Sequence, residues 1–232
     1  MASVDHEYCL RLTALCLAEP MMLVTQLMNH GSVVSFYQKY RDRVTEIMLL
    51  TWSKQIAEGM AYLESRGIVH RDLAARNILV KKFDHIKITD FGLARVLDST
   101  EEGIYVHEHS LVPFKWLAIE SMKSHLFNHK SDVWSYGICL WEIFTFCSKP
   151  YAEYPETDPQ TIYNSIVKGT RLAKPQIATL DVYTILLRCW QENPMARPDF
   201  GTLTNLFSKM CLDPKRYLSI KVSLKNINFI KF

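Results

Sequence analysis

The chain has 232 residues, 48% hydrophobic and 22% charged, enough for a substantial buried core and unlike a disordered polypeptide. The net charge of +3 overstates its basicity: residues 215–232 hold five Lys/Arg and no acid, and subtracting those five leaves −2 for the rest. That balance argues against a nucleic-acid-binding body, and the apolar stretch 137–146, interrupted by Trp141-Glu142, is too short to span a membrane.

Two apolar runs, 8–17 and 21–27, flank Ala18-Glu19-Pro20 and read as a hairpin or two paired strands, with Gly31 marking the exit. Residues 46–66 form the clearest helix: Ile47, Leu50, Ile56, Met60 and Leu63 recur near helical spacing, and Gly67 stops it. A motif-bearing loop follows over 68–80, then a short strand over 86–89. Residues 93–117 lack periodicity and read as a long functional loop. Further helices are expected over 131–146 with a Ser-Asp start, from Asp158-Pro159 to about 168, from Asp181 as cap to 190, and from Pro198 to about 210. No internal repeat and no signal peptide is evident. The pattern is α+β: a small β piece feeding a mostly helical body.

The six cysteines, Cys9, Cys16, Cys139, Cys147, Cys189 and Cys211, form no Cys-x-x-Cys pair and mostly sit among apolar residues. They read as reduced thiols of a cytosolic compartment rather than a disulfide framework or zinc site.

The chemistry concentrates in His70-Arg71-Asp72-Leu73-Ala74-Ala75-Arg76-Asn77 and the later Asp90-Phe91-Gly92. One carboxylate with an amide five positions on, and a second carboxylate at a glycine hinge, supply what phosphoryl transfer needs. An acid orients the attacking hydroxyl, and an Asn and an Asp hold Mg²⁺ on the phosphates. The two motifs in this order resemble protein kinases. In that reading Asp72 is the catalytic base, Asn77 and Asp90 are the metal ligands, and His70 and Phe91 are packing residues.

Further strings narrow the resemblance. Asp72-Leu-Ala-Ala-Arg76-Asn resembles receptor tyrosine kinases, in which Arg76 serves the phosphate. Pro113, Lys115 and Trp116 in Val112-Pro113-Phe114-Lys115-Trp116 resemble their substrate-docking platform, with Phe114 a bulky departure. Asp132 in Ser131-Asp-Val-Trp-Ser-Tyr-Gly137 resembles the aspartate that braces the catalytic loop, and Glu120 with Arg197 the ion pair that holds the activation segment. Tyr105 lies in the loop where a phosphorylation site is expected, with Arg71 as partner for the added charge. Met1-Ala-Ser-Val-Asp, Val24-Thr-Gln-Leu-Met28, Phe146-Cys-Ser-Lys-Pro-Tyr151 and Asp213-Pro-Lys-Arg-Tyr-Leu218 are similar to the epidermal growth factor receptor family. The resemblance implies Thr25 as gatekeeper, Gln26, Leu27 and Met28 as the ATP-binding hinge, Ser32 at the hinge edge, and Met1, Leu12, His70 and Phe91 as an apolar spine. Ala14, Ser110 and Cys147 stand where that family commonly has glycine, and Cys147 is expected to occupy a positive-φ position.

The implied organisation is 1–27 as a remnant of the kinase N-lobe (the end of a helix and two strands), 28–212 as the C-lobe, and 213–232 as a basic tail. ATP and Mg²⁺ are the implied cofactors and tyrosine-containing proteins the substrates, on the cytoplasmic side of a membrane receptor. No Gly-x-Gly occurs, and the first lysine, Lys39, lies beyond the hinge, so the chain as written is expected to be inactive alone. The alternative role is a non-catalytic C-lobe module that docks a partner kinase through Leu180, Thr184 and Leu187. A small-molecule phosphotransferase shares the Asp and Asn pair, but Asp90-Phe-Gly, the 113–116 platform and the Glu120/Arg197 pair argue against it.

Overall fold

The computed structural model describes residues 4–91, 94–96, 105–106, 113–155 and 158–220. Helices dominate the described residues and every sheet is a short two-stranded ribbon, the expected α+β architecture. The organising element is helix α2 (Glu46–Ser65), whose N-cap Thr45 accepts the Met48 N–H. It runs through the body rather than across its surface: Leu49, Leu50, Trp52, Ile56 and Met60 are buried. Against it lie α4 (His129–Phe144) and α7 (Phe200–Met210), with Tyr136 of α4 meeting Phe200 edge-on at 5.8 Å. Helix α6 (Leu180–Cys189) approaches α4 so closely that a Cβ on Gly137 would lie 2.6 Å from Trp190 Nε1 and 2.8 Å from Cys189 Cβ. Only glycine fits there.

Strands β1 (Leu12–Cys16) and β2 (Met22–Thr25) pair antiparallel, as the two apolar runs predict. Among the described residues they have only each other, and Leu15, Met22, Leu23 and Val24 are exposed. β3 (Ile68–Val69) leads into the motif loop. β4 (Ile78–Lys82) and β5 (His85–Ile88) form the hairpin behind it, tied to α2 by Trp52 Nε1–H to the Phe83 carbonyl at 2.9 Å and by Ile86 N–H to Gln55 Oε1 at 3.0 Å. β6 (Arg95–Val96) pairs with β3, and β7 (Tyr105–Val106) with β8 (Leu126–Phe127).

Several boundaries differ from the sequence reading. Helix α1 (Val33–Tyr40) occupies a stretch where no element was expected; Ser32 caps it, and Val33, Phe36 and Tyr37 are buried. Within 113–124, Phe114–Trp116 is a 3-10 turn and Ile119–Ser124 is helix α3. Helix α4 starts two residues before Ser131, because Asn128 is the N-cap and Ser131 completes a capping box with it. Thr179, not Asp181, precedes α6, and Asp181 lies in its first turn. Asp158 caps α5 (Pro159–Val167) as expected, whereas α7 begins at Phe200 behind N-cap Asp199 rather than at Pro198. Residues 7–8 form a turn and Cys9 bridges to Ile88, while the start of the segment expected to hold a helix end, residues 1–3, lies outside the described residues. Past α7, a short α8 (Pro214–Tyr217) and a fully buried Leu218 pack the first part of the basic segment onto the body. All six cysteines are free thiols. Among the described residues no helix is long and apolar enough to cross a membrane.

Candidate active site

The motif loop is built on α4. Asp132, fully buried, accepts the His70 N–H at 2.8 Å and the Arg71 N–H at 2.9 Å, one on each carboxylate oxygen. These bonds hold Arg71 in the left-handed region at φ +70. Burial pushes the Asp132 carboxyl up to about 7, opposed by those two N–H donors and by Arg71 itself. His70 is buried too. Its Nε2 faces the Thr89 carbonyl at 3.1 Å and its Nδ1 accepts the Asp72 N–H at 3.2 Å, which assigns the proton to Nε2. Burial lowers its pKa to about 4, so the ring is neutral at physiological pH and serves as a fixed spacer.

Asp72 then projects at the loop's edge. Asn77 Nδ2 donates to the Asp72 carbonyl at 2.7 Å and to its Oδ2 at 2.8 Å, while Arg76 pairs with Oδ1. Burial raises the Asp72 carboxyl, and Arg76 and Asn77 oppose the rise. The Thr89 N–H bonds the Asn77 carbonyl at 2.9 Å, and Ile78 pairs with Ile88, which zips the two motif segments side by side. Asp90 follows at φ +63, and Phe91 stacks obliquely on His70 at 5.5 Å.

A cavity of about 370 Å³ joins these groups to the hairpin; Leu12, Leu23 and Thr25 line one side and Asn77, Asp90 and Phe91 the other. The expected gatekeeper Thr25, two of the expected spine residues, Leu12 and Phe91, and the expected metal ligands thus line one space, whereas His70 is not among its lining residues. The residues expected as the hinge follow it: Gln26 and Leu27 are exposed, Met28 is buried, and Gly31 at φ +67 donates its N–H to the Met28 carbonyl at 3.1 Å. Because Asn77 spends its amide N–H on Asp72, its amide oxygen is left for a cation. An Asn oxygen and an Asp carboxylate are the hard donors Mg²⁺ takes, so the donor set fits that ion.

Lys115 is buried and its amine bonds the Tyr151 and Tyr154 carbonyls, each at 3.0 Å. Trp116 faces the motif loop, with the Arg76 guanidinium 4.7 Å from its ring centre. Pro113 precedes the 3-10 turn that carries both. Glu120 and Arg197 form a two-pronged pair at 2.6 and 2.8 Å, with Arg197 fully buried against Trp134. Arg71 stacks over Phe127 at 4.7 Å, and Phe127 is the backbone partner of Tyr105 in β7/β8. Met1, Gly92, Ser110 and the side chain of Tyr105 lie outside the described residues.

Glu142 escaped the sequence reading. It lies buried on α4, and its Oε2 accepts the Ala75 N–H and the Trp116 Nε1–H, both at 2.9 Å. The available signal was a carboxylate within the apolar C-terminal half of the helix, where it must find partners.

A family model described as protein tyrosine and serine/threonine kinase matches residues 1–207. The chain belongs to that kinase family. Its relatives are receptor tyrosine kinases: it is 47% identical over 221 residues to receptor tyrosine-protein kinase erbB-4 of Homo sapiens, covering 95% of this chain and 17% of that protein. It is likewise 47% identical over 221 residues to the epidermal growth factor receptor of Apis mellifera, with the same coverage, and 46% identical over 228 residues to the melanoma receptor tyrosine-protein kinase of Xiphophorus maculatus, covering 98% and 19%. The chain therefore spans less than a fifth of the length of the curated relatives it matches.

Proposed function

We propose that this chain carries the catalytic and substrate-side half of a protein tyrosine kinase that transfers the ATP γ-phosphate to tyrosine hydroxyls. Asp72 accepts the hydroxyl proton, and Asn77 and Arg76 hold the carboxylate in place for it. Asn77 and Asp90 would hold Mg²⁺, which neutralises charge on the phosphates. Thr25 and the Gln26–Leu27–Met28 backbone would border the adenine, and Tyr105 would be the loop site modified by phosphorylation. Residues 1–27 belong with the ATP-covering lobe and 28–212 with the substrate lobe. The single observation that carries this reading is the cavity running from Thr25 to Asn77 and Asp90, with Asp72 bonded to Asn77 at its edge.

The sequence contains no glycine-rich loop and no lysine before the hinge, and β1 and β2 leave the cavity bordered on that side by Leu12 and Leu23. The 232-residue chain by itself is accordingly a poor catalyst, each absent electrostatic donor costing about 2.7–4 kcal/mol of transition-state stabilisation. The test is phosphate transfer to matched tyrosine and serine peptides, by this chain and by any longer natural product containing it. Tyrosine-selective transfer by the longer product, lost about 10²–10⁴-fold in Asp72→Asn, is expected. Transfer unaffected by Asp72→Asn would overturn the reading.

A second reading rests on α6. Leu180 and Thr184 are exposed and Leu187 half-buried, three side chains on one helix face. That face suits docking on a partner kinase domain, with this chain as activator. A purified chain that fails to stimulate a complete relative when both are tethered to vesicles would sink that role.

A further inference from the structure

Helix α4 meets the motif loop with two buried carboxylates: Asp132, on the His70 and Arg71 N–H groups, and, in its apolar C-terminal half, Glu142. A buried carboxylate is tolerated only when donors compensate it. Here both donors come from functional segments: the Ala75 N–H lies three residues after Asp72, and the Trp116 indole belongs to the expected substrate platform. One oxygen, Oε2, receives both. The linkage continues through side chains, because the Trp116 ring carries the Arg76 guanidinium and Arg76 pairs with Asp72. Ser135, two turns earlier on the same helix, adds a bond from its hydroxyl to the Trp116 carbonyl at 2.8 Å.

We propose that Glu142 is a positioning residue for phosphoryl transfer: its Oε2 locks the loop at Ala75 to the platform at Trp116, and so fixes Arg76 and Asp72 relative to the incoming hydroxyl. It touches no reacting atom and acts through the two donors it accepts. This rests on the kinase reading of Asp72. A neutral amide at this position retains the shape and one acceptor oxygen but gives up the charge assistance that roughly doubles each bond. A carboxylate needed only to fill space would leave the loop geometry unchanged after that swap.

The experiment uses the longest natural product that carries the chain, with Glu142→Gln and Trp116→Phe made singly and together. Rates are normalised to folded enzyme. The expected result is a kcat lowered about 10- to 100-fold in each single variant, the scale on which a misplacement of about 1 Å is felt, with the KM for ATP unchanged. The double variant should be no worse than the poorer single one, since both cut the same linkage. In parallel, the Trp116 indole N–H resonance of the 232-residue chain should move upfield in Glu142→Gln. Active wild type with undiminished kcat in Glu142→Gln overturns the proposal, as does additive loss in the double variant. If Glu142→Gln does not fold, Trp116→Phe carries the same test. Wild type without tyrosine transfer, despite the indole shift, overturns the kinase reading and with it the catalytic role, while leaving the Glu142–Trp116 bond established.

Discussion

Asp132 holds Arg71 in a backbone conformation that arginine does not choose. The residue sits at φ +70, and its N–H meets Asp132 Oδ1 at 2.9 Å while the other carboxylate oxygen takes the His70 N–H. A left-handed conformation costs a non-glycine residue about 1–2 kcal/mol, so the two bonds stabilise a strained turn that leads into Asp72, which is bonded in turn to the cavity-lining Asn77. Asp132→Asn can satisfy one N–H but turns a donor toward the other. It should cost about 1–3 kcal/mol in urea unfolding, and amide exchange at His70 and Arg71 should accelerate more than exchange in α2.

Arg197 and Glu120 tie the segment after the platform to the far side of the body. Arg197 also donates to the Lys130 carbonyl at 2.8 Å and the Gln191 carbonyl at 2.9 Å, so every face of its guanidinium is used. Removing one partner leaves the other buried and uncompensated. Glu120→Ala should therefore destabilise by about 3–5 kcal/mol. Equilibrium unfolding of that variant beside Glu120→Ala/Arg197→Met checks it: the double variant should recover part of the loss.

How much of this was legible beforehand depends on whether a signal was local. The hairpin, α2, α5 and both motif segments announce themselves through apolar runs, a proline at the first helical position, and closely spaced polar residues. Helix α1 did not, although Val33, Phe36, Tyr37 and Tyr40 stand at helical spacing behind a capping Ser32, because eight residues make a short pattern and the preceding hinge invited a loop reading. The start of α4 was displaced for a similar reason: Ser131 looks like a cap, but it is the reciprocal member of a box that begins at Asn128. Roles that exist only in tertiary pairing stayed hidden. The buried amine of Lys115 on the Tyr151 and Tyr154 carbonyls is one, and Glu142 beneath Ala75 is another.

His70 predicts a pH dependence with a definite sign. Its pKa is lowered from 6.5 to about 4 by burial, so between those values the unfolded chain binds the extra proton and the folded one does not. The stability it contributes is complete above 6.5 and is lost as pH falls toward 4, amounting to about 3 kcal/mol. Asp132 and Glu142 run the other way, since burial pushes both carboxyls up to about 7 and the folded state then holds the extra protons. A raw stability profile sums these effects. The difference between wild type and His70→Leu isolates the histidine: that gap should narrow by about 2–3 kcal/mol between pH 7.5 and 4.5 in urea titrations. A gap independent of pH would mean that His70 is not held neutral.

The exit of α4 contains a stabilising substitution waiting to be made. Phe146 and Cys147 stand consecutively at φ +55 and +62, and the Cys147 N–H closes the helix end on the Glu142 carbonyl at 2.7 Å. Phe146 has a reason to bear the strain, because its ring receives Tyr37 edge-on at 5.4 Å and the Arg41 guanidinium at 4.6 Å. Among the described residues Cys147 has no such ring contact, it is half-buried, and burial raises its pKa, so it is an inert side chain in a conformation suited to glycine. Cys147→Gly should raise stability by about 1 kcal/mol despite the added freedom of the unfolded chain, because relief of the left-handed strain outweighs it. Cys147→Ala keeps the strain and should gain nothing, so the separation of the two variants in thermal unfolding distinguishes backbone relief from simple loss of the thiol.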